Sequence, residues 1–462
     1  MDVDLEVVVT PGLGDNSYLI ASDGEAALVD PQRDVGRLLS LADARGASVR
    51  SILETHVHND YVSGAFDASR ATGAEIVAPA DGNYAFPYRG VKEGDEIRVG
   101  ALRLVAMETP GHTPEHTCYL LYDATDVPIG VFTGGSLMVG GAGRTDLLGP
   151  ELTEQLTRFQ YRTLRRLSAL PDGVEVLPTH GQGSFCGTGS GPKERTSTLR
   201  EERGRNAALS APDEESFIGQ QLSGLLAYPT YYWNMAPINR AGPRPMSEIS
   251  APAALGPEEV QRRIDAGAWV VDARNRKEFA LAHLPRSINI EVGNQFASYV
   301  GWIVTFNDPL VLVLPDPEAA RLGEAATQLA RIGYERVEGY LRGGIRAWEG
   351  AGLEVRSFGT ADIDDLCAAQ AGGTPPRVLD VRQEKEWDAG HIPGSRHIFV
   401  GDLPERVGEV PSGDDELWVA CASGQRASIA ASILDREGVA VRSVVSGGVA
   451  DWLRDCADPA SA

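Results

Sequence analysis

The stretch THVHNDY, residues 55–61, places side chains at a spacing that favours metal binding. His56 and His58 are separated by one residue, and Asp60 follows two residues later. A motif that binds two metal ions would continue with another histidine, but the next residue is Tyr61. Imidazole and carboxylate groups are ligands of zinc and iron. The stretch therefore raises the question of whether metal chemistry remains after the loss of one ligand.

Three more histidines lie in short phrases at the ends of predicted strands. TPGHTPEH contains His112 and His116, and LPTHGQGSFCG contains His180 and Cys186. We regard His180, like Asp60, as an additional candidate ligand. We expect Cys186 to reach the same cavity, where it binds or receives sulfur. Packing in the core is an equal alternative for this thiol.

Arg144, in the phrase GRTDL, has two interpretations. Its guanidinium is a candidate to meet a substrate carboxylate, which makes it a substrate-site residue. A structural ion pair with Asp146 or another acid is the more common outcome for such an arginine.

A nucleophilic thiol is predicted at Cys421. The stretch LWVACASGQRASIAASIL predicts a strand, a loop and a helix that starts near Arg426. A thiolate at the end of that strand would face the unpaired N–H groups of the loop and of the helix N-terminus, which stabilise negative charge. This position, together with Gly424 and Arg426, favours catalysis over a buried core cysteine. Cys421, Arg426 and Gly424 are therefore the candidate catalytic residues.

The second half of the chain contains an internal repeat. VVDARNRKEFALAHLPRSINI, from residue 270, aligns with VLDVRQEKEWDAGHIPGSRHI, from residue 378. Three pairs of residues match: Asp272 with Asp380, Arg274 with Arg382, and His283 with His391. Short β-branched runs alternate with helical stretches in each copy, which predicts two small parallel α/β sheets.

The first half begins with strand-like DLEVVV, SYLIAS and AALVDP. Between the halves lies AYPTYYWNMAPINRAGPRP, rich in proline, glycine and aromatic residues, which predicts an ordered connector. Its aromatic residues are expected to pack at the domain junction, with a substrate lid as the alternative. They are Tyr228, Tyr231, Tyr232 and Trp233. A chain of 462 residues suggests three domains, at roughly 150 residues per domain.

Composition restricts the classes of partner. Apolar residues at 42% and charged residues at 23% are typical of a soluble globular protein. A formal charge of -23 argues against nucleic acid and anionic membranes, because a negative surface repels phosphate. No apolar run approaches the length of a membrane span, and MDVDLEVVVT lacks the features of a signal peptide. We therefore expect a cytoplasmic location and no membrane partner.

The cysteines predict reduced thiols rather than a disulfide framework. They are odd in number, widely spaced and free of any CxxC pair: Cys118, Cys186, Cys367, Cys421 and Cys456.

The segment from about 355 to 456 resembles the rhodanese (sulfurtransferase) family. The resemblance is carried by the C-x4-R loop of Cys421 and Arg426 together with DVR, EW and GHIPGS. Cysteine phosphatases use C-x5-R, and the tighter loop here suits a sulfane sulfur better than a phosphoryl group. The resemblance implies that Cys421 takes sulfur from a donor, carries it as a persulfide and passes it to an acceptor.

The first copy of the repeat lacks this thiol. When Arg426 is matched to Arg321, Asp316 falls opposite Cys421. An aspartate cannot form a persulfide, so the first copy is expected to be catalytically inactive and to serve as a spacer or docking surface.

The histidine phrases, with NSYLI and GRTDL, resemble the metallo-β-lactamase fold over about residues 1–210, and within it the persulfide dioxygenase and glyoxalase II branch. In persulfide dioxygenases one iron is held by the first histidine of HxHxDH, the histidine of GHT and the aspartate of a TGD phrase. The resemblance implies His56 and His112 as ligands. The third phrase is FTGGSL here, with Gly135 in the place of the aspartate.

Three interpretations of the metal site follow. The first is a single mononuclear site of His56, His58 and His112, for which iron(II) and zinc are the candidate ions. The second is that Gly135 leaves a coordination position open for substrate sulfur or an anion. The third is an empty scaffold. A dinuclear hydrolase is disfavoured, because Tyr61 removes a ligand of the second site.

The predicted fold class is α/β multidomain. An αββα metallo-β-lactamase sandwich is expected in residues 1–245, including a connector at about 205–245. Two rhodanese-like parallel α/β domains are expected at 246–355, inactive, and 356–462, with active Cys421.

The predicted function is sulfur metabolism: a persulfide dioxygenase-like domain coupled to a sulfurtransferase that interconverts persulfide, thiosulfate and sulfite through Cys421. One alternative is a sulfurtransferase with a degenerate metal-site scaffold, and the other is a persulfide carrier that serves a partner enzyme. The expected small-molecule partners are a low-molecular-weight thiol persulfide, thiosulfate or sulfite. A homo-oligomer is also considered.

Overall fold

The computed structural model describes residues 3–187, 193–410, 413 and 415–456. The chain divides into two compact units: Met1–Ile249 with Ala330–Gly333, and Ser250–Leu329 with Tyr334–Ala462. Among the described residues, no helix is both long enough and apolar enough to cross a membrane.

The first unit contains two six-stranded mixed sheets. The first sheet has its strands in chain order: β1 (Asp4–Thr10), β2 (Asp15–Ser22), β3 (Glu25–Val29), β4 (Ser48–Leu53), β5 (Glu75–Pro79) and β6 (Arg89–Val91). The second sheet contains β7 (Glu96–Val99), β8 (Leu102–Glu108), β9 (Thr117–Tyr122), β10 (Pro128–Gly134), β13 (Glu175–Pro178) and β14 (Ser197–Thr198), in the order β14-β13-β10-β9-β8-β7. A hairpin joins β11 (Leu137–Met138) to β12 (Gly141–Ala142).

Helices cover the outer faces of both sheets. They are α1 (Gly36–Ala44), α2 (Ala65–Thr72), α3 (Pro150–Ser168), α4 (Leu199–Arg205), α5 (Ala207–Ser210) and α6 (Glu214–Ser223). A further helix, α7 (Tyr232–Ala241), contacts the loop that follows β4. Leu38 of α1 and Ala68 of α2 pack on the first sheet, and Leu164 of α3 packs on the second. The predicted αββα sandwich is therefore confirmed.

The core between the two sheets explains the period-2 pattern of the strands. Tyr18 and Ile20 on β2 alternate with Leu19, which faces the helices instead. Tyr18 meets Phe132 of the second sheet edge to face, with 5.2 Å between ring centroids. Alternate side chains of one strand therefore belong to two different cores.

The second unit contains two five-stranded parallel sheets. The first copy consists of β15 (Ala253–Leu255), α8 (Pro257–Asp265), β16 (Trp269–Asp272), α9 (Arg276–Leu281), β17 (Ser287–Asn289), α10 (Phe296–Ile303), β18 (Leu310–Val313), α11 (Glu318–Arg331), β19 (Val337–Leu341) and α12 (Gly344–Gly350). The second copy consists of β20 (Gly359–Asp362), α13 (Ile363–Gln370), β21 (Val378–Asp380), α14 (Glu384–Asp388), β22 (Arg396–His397), α15 (Leu403–Arg406), β23 (Leu417–Ala420), α16 (Gln425–Arg436), β24 (Val441–Ser446) and α17 (Val449–Asp455).

The two copies have the same topology, as the sequence repeat predicts. Their strand orders are β15-β19-β18-β16-β17 and β20-β24-β23-β21-β22, so equivalent strands occupy equivalent places. Outside these elements, three short 3-10 helices lie at Ala80–Gly82, Met246–Glu248 and Val407–Glu409.

The prediction that all five cysteines are reduced is wrong for two of them. Cys367 of α13 and Cys456, which follows α17, form a disulfide across 89 residues of sequence. Both half-cystines pack at the margin of the core of the second copy, where α13 and α17 are neighbours. Sequence spacing cannot show this pairing, because it depends on how the two helices pack. Cys118, Cys186 and Cys421 are free and buried.

A buried aspartate–arginine pair recurs at the end of the first strand of each repeat motif. Arg382 donates to Asp380 Oδ1 at 3.0 Å and to Oδ2 at 2.7 Å, and to the carbonyl of Gly390 at 2.7 Å. Arg274 donates in the same way to Asp272 Oδ1 at 2.9 Å and to Oδ2 at 2.6 Å in the first copy. The pair ties the strand end to the segment that follows the next helix.

Asp380→Asn should destabilise the second copy by about 3–5 kcal/mol, because it leaves the Arg382 guanidinium buried without its counter-charge. Urea unfolding followed by tryptophan fluorescence measures the change. Asp388→Asn, at an exposed position of α14, is the matched control and should leave the transition unchanged. Equal transitions for both variants would show that the pair is dispensable.

Candidate functional site

Loops from both sheets of the first unit meet at one edge and bring the predicted ligands together. His56, His58 and Asp60 lie in the loop between β4 and α2. His112 lies between β8 and β9, and His180 follows β13. All five side chains are at most 1% exposed. The sequence phrases therefore form a single buried cluster.

His56 and His180 face each other across the centre of this cluster. Their Nε2 atoms are 3.3 Å apart. Burial, followed by the neighbouring histidines, holds the pKa of His56 well below its usual value, so this ring is neutral. Two nitrogens bound to one tetrahedral zinc at 2.0–2.1 Å would lie about 3.3 Å apart. The separation therefore suits either one shared proton or one shared metal ion.

His180 is held by two carboxylates. Its Nδ1 donates to Asp15 Oδ1 at 2.9 Å and lies 3.2 Å from Asp60 Oδ2. Burial alone would lower the pKa of His180, but Asp60 and Asp15 raise it to about 10. The proton that His180 carries and a metal ion would compete for the position next to His56.

His58 points its Nε2 away from the centre of the cluster. That atom lies 3.2 Å from Glu54 Oε2, 3.3 Å from Asp30 Oδ1 and 3.0 Å from the hydroxyl of Tyr61. Burial alone would lower the pKa of His58, but Asp30 and Glu54 hold it well above its usual value. Carboxylates that bind the Nε2 proton leave Nδ1 as the ligand atom, as in many metal-binding histidines.

His112 is oriented by a backbone carbonyl. Its Nδ1 donates to the carbonyl of Arg144 at 2.7 Å, which leaves Nε2 as the free nitrogen. Burial, followed by the charge of His180, lowers the pKa of His112 to about 3. The ring is therefore neutral and ready to donate a lone pair.

Several buried polar atoms of the cluster have no hydrogen-bond partner among the described residues. They are His58 Nδ1, His112 Nε2, Asp60 Oδ1 and Asp60 Oδ2. Burial would raise the pKa of Asp60, but His180 lowers it to about 2, so the carboxylate is ionised. The protonated His180, whose Nδ1 lies 3.2 Å from Asp60 Oδ2, offsets this buried charge, while both carboxylate oxygens still have lone pairs to offer. These residues fit a metal ion.

The ligand atoms fall into overlapping sets, each with its members within 4.8 Å of one another. Three sets contain His180: His56 with His58, His112 with Cys186, and Asp15 with Asp60. A fourth consists of Asp30, Glu54 and His58. His180, predicted only as an additional ligand, is thus shared by three of the four sets.

Position 135 has no carboxylate, and the ring of His112 fills the space beside Gly135. A Cβ atom on Gly135 would lie 2.2 Å from the ring of His112, so no side chain fits there without moving that ring. The space is therefore taken up by His112 rather than left open. Tyr61 stacks on His58, with 4.3 Å between ring centroids, and supports that ring instead of replacing a ligand.

Arg144 pairs with a carboxylate of the protein, the more common outcome expected from the sequence. Its guanidinium binds both oxygens of Asp146 at 2.7 Å and lies over the ring of Tyr228 at 4.4 Å. A further nitrogen donates to the carbonyl of Phe185 at 3.0 Å. Arg144 contributes to the site through its backbone, which orients His112.

Within the first unit, the connector packs on the loop that carries His56, His58 and Asp60. Tyr231 donates its hydroxyl proton to the carbonyl of Asp60 at 2.9 Å. Asn239 of α7 donates to the carbonyls of His58 and Tyr61, both at 2.9 Å. These bonds fix the backbone of the loop that carries three candidate ligands.

Three carboxylates of the cluster escaped the sequence analysis: Asp15, Asp30 and Glu54. Asp15 begins β2, Asp30 follows β3, and Glu54 follows β4. Acidic residues at strand ends, where the metal phrases also lie, were the available signal. Their roles became visible only when the strands were placed side by side.

The candidate catalytic cysteine lies at the end of β23, directly before the loop that leads into α16. Its Sγ accepts hydrogen bonds from the backbone N–H groups of Gly424 at 3.1 Å and Ala427 at 3.4 Å. Gly424 has a φ of +88°, and a Cβ there would lie 2.5 Å from the carbonyl oxygen of Val445. The tight loop therefore requires glycine at this position.

Arg426 is engaged by a carboxylate of the same copy. It forms two hydrogen bonds with Glu386 of α14, at 2.6 and 2.8 Å. Burial would raise the pKa of Glu386, but Arg426 lowers it. The bidentate pair fixes the guanidinium beside the loop.

The first copy also contacts this loop, which the sequence analysis did not anticipate. Arg276 of α9 donates to the carbonyl of Ser423 at 2.7 Å and is itself held by Glu291 at 2.6 Å. Burial raises the pKa of Tyr299 of α10 to about 12, and this side chain interacts electrostatically with Arg426 and Cys421. The cysteine site is therefore built from both copies.

In the first copy, the loop between β18 and α11 occupies the place that the Cys421 loop occupies in the second. Asp316 lies in it and is exposed. It offers no thiol at this position.

Comparison with known proteins divides the chain in the same way. Residues 10–180 match the metallo-beta-lactamase superfamily, and residues 256–351 and 363–455 match the rhodanese-like domain. A hydroxyacylglutathione hydrolase of Cereibacter sphaeroides is 35% identical over 181 residues, 38% of this chain and 66% of that protein. One from a Polaromonas species is 37% identical over 169 residues, 36% of this chain and 61% of that protein. The chain thus spans less than two thirds of these relatives.

A solved structure with a similar fold is a metallo-beta-lactamase from Staphylococcus aureus subsp. aureus COL. It is 28% identical, has a TM-score of 0.66 and covers 74% of this chain and 99% of that chain.

The cluster should bind one divalent ion per chain, because Tyr61 and Gly135 provide no ligands for a second. Isothermal titration of metal-free protein with Zn²⁺ measures stoichiometry and affinity. His112→Ala should weaken binding by at least about 100-fold, since even changes behind a ligand cost 10–100-fold. His391→Ala, an exposed histidine of the second unit, is the matched control. Two equivalents, or unchanged binding by His112→Ala, would contradict the assignment.

Proposed function

We propose that this chain, in which a metallo-β-lactamase-fold domain is followed by two rhodanese-like domains, is a sulfur-handling enzyme. Cys421 carries sulfane sulfur as a persulfide between small molecules. The buried histidine–carboxylate site of the first domain, with its metal ion, acts on a low-molecular-weight thiol persulfide. The observation that carries the proposal is the Cys421 sulfur within the backbone N–H groups of a tight loop.

The first half-reaction loads the cysteine. The Cys421 thiolate attacks the outer sulfur of thiosulfate, an S–S bond to Cys421 forms, and the S–S bond of thiosulfate breaks with release of sulfite. The persulfide then carries the negative charge on its terminal sulfur. The N–H groups of Gly424 and Ala427 already point at Sγ and are placed to stabilise this charge.

The second half-reaction removes the sulfane sulfur from Cys421. An acceptor thiolate attacks the terminal sulfur, a new persulfide leaves, and Cys421 returns to the thiolate. With sulfite as acceptor the same step runs in reverse and forms thiosulfate. Ala422 and Ser423 are exposed, so the loop is accessible from solvent for both steps.

The first domain is proposed to oxidise the small persulfide. Iron(II), when bound, would supply the redox chemistry with O2. The net reaction converts a persulfide RSSH, O2 and water into the thiol RSH, sulfite and two protons. His180, together with His56 and His58 or with His112, would hold the ion, and the ionised Asp60 would balance part of its charge. The sulfite formed is a substrate for the Cys421 half-reaction.

A second candidate activity is hydrolysis of a glutathione thioester. It is favoured by the 35% identity to a hydroxyacylglutathione hydrolase over 181 residues. Tyr61 and Gly135 argue against it, because they remove ligands that two metal ions would share. We therefore expect little hydrolysis of hydroxyacyl thioesters of glutathione by the zinc-loaded or iron-loaded protein.

Cys421→Ser should abolish sulfur transfer from thiosulfate to cyanide, because a hydroxyl cannot form a persulfide. Thiocyanate formation measures the reaction, and mass spectrometry of thiosulfate-treated protein should find one extra sulfur atom on Cys421. Asp316→Ala changes the equivalent place in the first copy and should transfer sulfur at the wild-type rate.

Oxygen uptake with glutathione persulfide separates the alternatives. Iron-loaded Cys421→Ser protein should still consume O2, whereas His112→Ala should not. Sulfur transfer without O2 uptake would reduce the protein to a sulfurtransferase with an inactive first domain. Full transfer activity in Cys421→Ser would overturn the assignment of the cysteine.

Arg276→Met should slow sulfur transfer about tenfold, which corresponds to the loss of a charged hydrogen bond worth about 1.5 kcal/mol. The physical reason is that Arg276 fixes the Ser423 carbonyl, and hence the direction of the next N–H group, that of Gly424. A double variant that adds Glu291→Gln also removes the carboxylate that Arg276→Met would leave unpaired. Lys277→Met, one residue away and exposed, is the control. An unchanged kcat for Arg276→Met would show that the first copy does not position the loop.

A further inference from the structure

The candidate metal site has no carboxylate at position 135, where the sequence resemblance implies an anionic ligand. Gly135 has no side chain, and the ring of His112 fills the space beside it. Neutral histidines do not offset the charge of a divalent ion and Asp60 offsets only part of it, whereas the two-histidine, one-carboxylate arrangement adds a charged ligand. Another anionic donor near His112 would complete the site.

Cys186 lies at that position. It is fully buried, and its Sγ, His112 and His180 have ligand atoms within 4.8 Å of one another. Three atoms at these separations share a point within about 2.8 Å of each, and zinc bonds of about 2.0–2.3 Å to nitrogen and sulfur need only a small contraction. His112 Nε2 has no hydrogen-bond partner among the described residues, so it is free to join the thiol on one ion.

The backbone of Cys186 is fixed beside the cluster. Its carbonyl accepts from the N–H of Arg144 at 2.8 Å, and its N–H donates to Ser184 Oγ at 3.2 Å. The carbonyl of the same Arg144 orients His112. One residue therefore positions both the thiol and the imidazole that faces it.

The surroundings of Cys186 differ from those of a cysteine that only packs. Ligand atoms of two buried imidazoles, His112 and His180, lie within 4.8 Å of its sulfur. Cys118, by contrast, lies in the apolar core under α3, where Thr109 donates to its sulfur at 3.2 Å. A buried thiol beside two imidazoles is placed for a cation, which would deprotonate it.

We propose that Cys186 is a thiolate ligand of the metal ion, together with His112 and His180, and that it takes the place of the absent carboxylate at position 135. This inference rests on the metal site of the proposed function. Each ion that binds displaces the thiol proton to solvent, so one Cys–S–metal bond forms for one S–H bond broken. A thiolate selects zinc, cobalt and iron(II) over magnesium and manganese.

Cobalt(II) tests the bond without any assay of activity. Anaerobic Cys421→Ser protein, which lacks the candidate catalytic thiol of the second unit, is loaded with one equivalent of Co²⁺. A thiolate-to-cobalt charge-transfer band should appear in the near ultraviolet. Adding Cys186→Ser should abolish this band and weaken Co²⁺ binding at least about tenfold, whereas adding Cys118→Ser should leave both unchanged.

A second measurement needs no change at Cys186. Zinc-edge X-ray absorption of the Cys421→Ser protein with one equivalent of Zn²⁺ should show a sulfur neighbour at about 2.3 Å. A shell of nitrogen and oxygen only would overturn the proposal, as would a cobalt band that persists in Cys186→Ser or disappears in Cys118→Ser. Absence of O2 uptake would overturn the proposed oxygenase activity but leave these spectra to decide the ligand.

Discussion

Buried charge is the constraint on which the first domain depends. Asp60 is ionised and buried, and neither of its oxygens has a hydrogen-bond donor among the described residues. His180 offsets this charge while it also binds Asp15 at the start of β2. Because an uncompensated buried charge is costly, the loops of both sheets must keep these groups together. The connector contributes through Tyr231, which binds the backbone of Asp60.

The second unit depends on backbone N–H donors rather than on buried charge. A persulfide needs a fixed set of N–H donors, and a tight loop at the end of a parallel strand provides them. Glycine at 424 permits the loop, and Glu386 holds Arg426 beside it. The first copy has no thiol in the equivalent loop, yet its Arg276 contacts the carbonyl of Ser423. The first copy, which has no thiol in its own loop, thus helps to position the Cys421 loop of the second copy.

Sequence analysis succeeded where chemistry follows from neighbours along the chain. The strand, loop and helix around Cys421 and the internal repeat were predicted from local patterns. The αββα class was implied by the family that the histidine phrases resemble. The ion pair of Arg144 with Asp146 is also local, because only one residue separates them. Cys367 and Cys456 were wrongly expected to be reduced, but they form a disulfide at a sequence separation of 89. Asp15, Asp30 and Glu54 lie outside any metal-binding phrase and were not predicted.

The sequence by itself determined which residue types are available: histidines in three phrases, a cysteine before a helix, and a tyrosine and a glycine where two ligands would stand. Only the tertiary structure decided how these residues combine. It placed His180 in three ligand sets and brought the sulfur of Cys186 within 4.8 Å of ligand atoms of His112 and His180. It also filled the space beside Gly135 with an imidazole. The reason is that coordination depends on distances of a few ångströms between loops, and those distances are fixed by the packing of strands far apart in the chain.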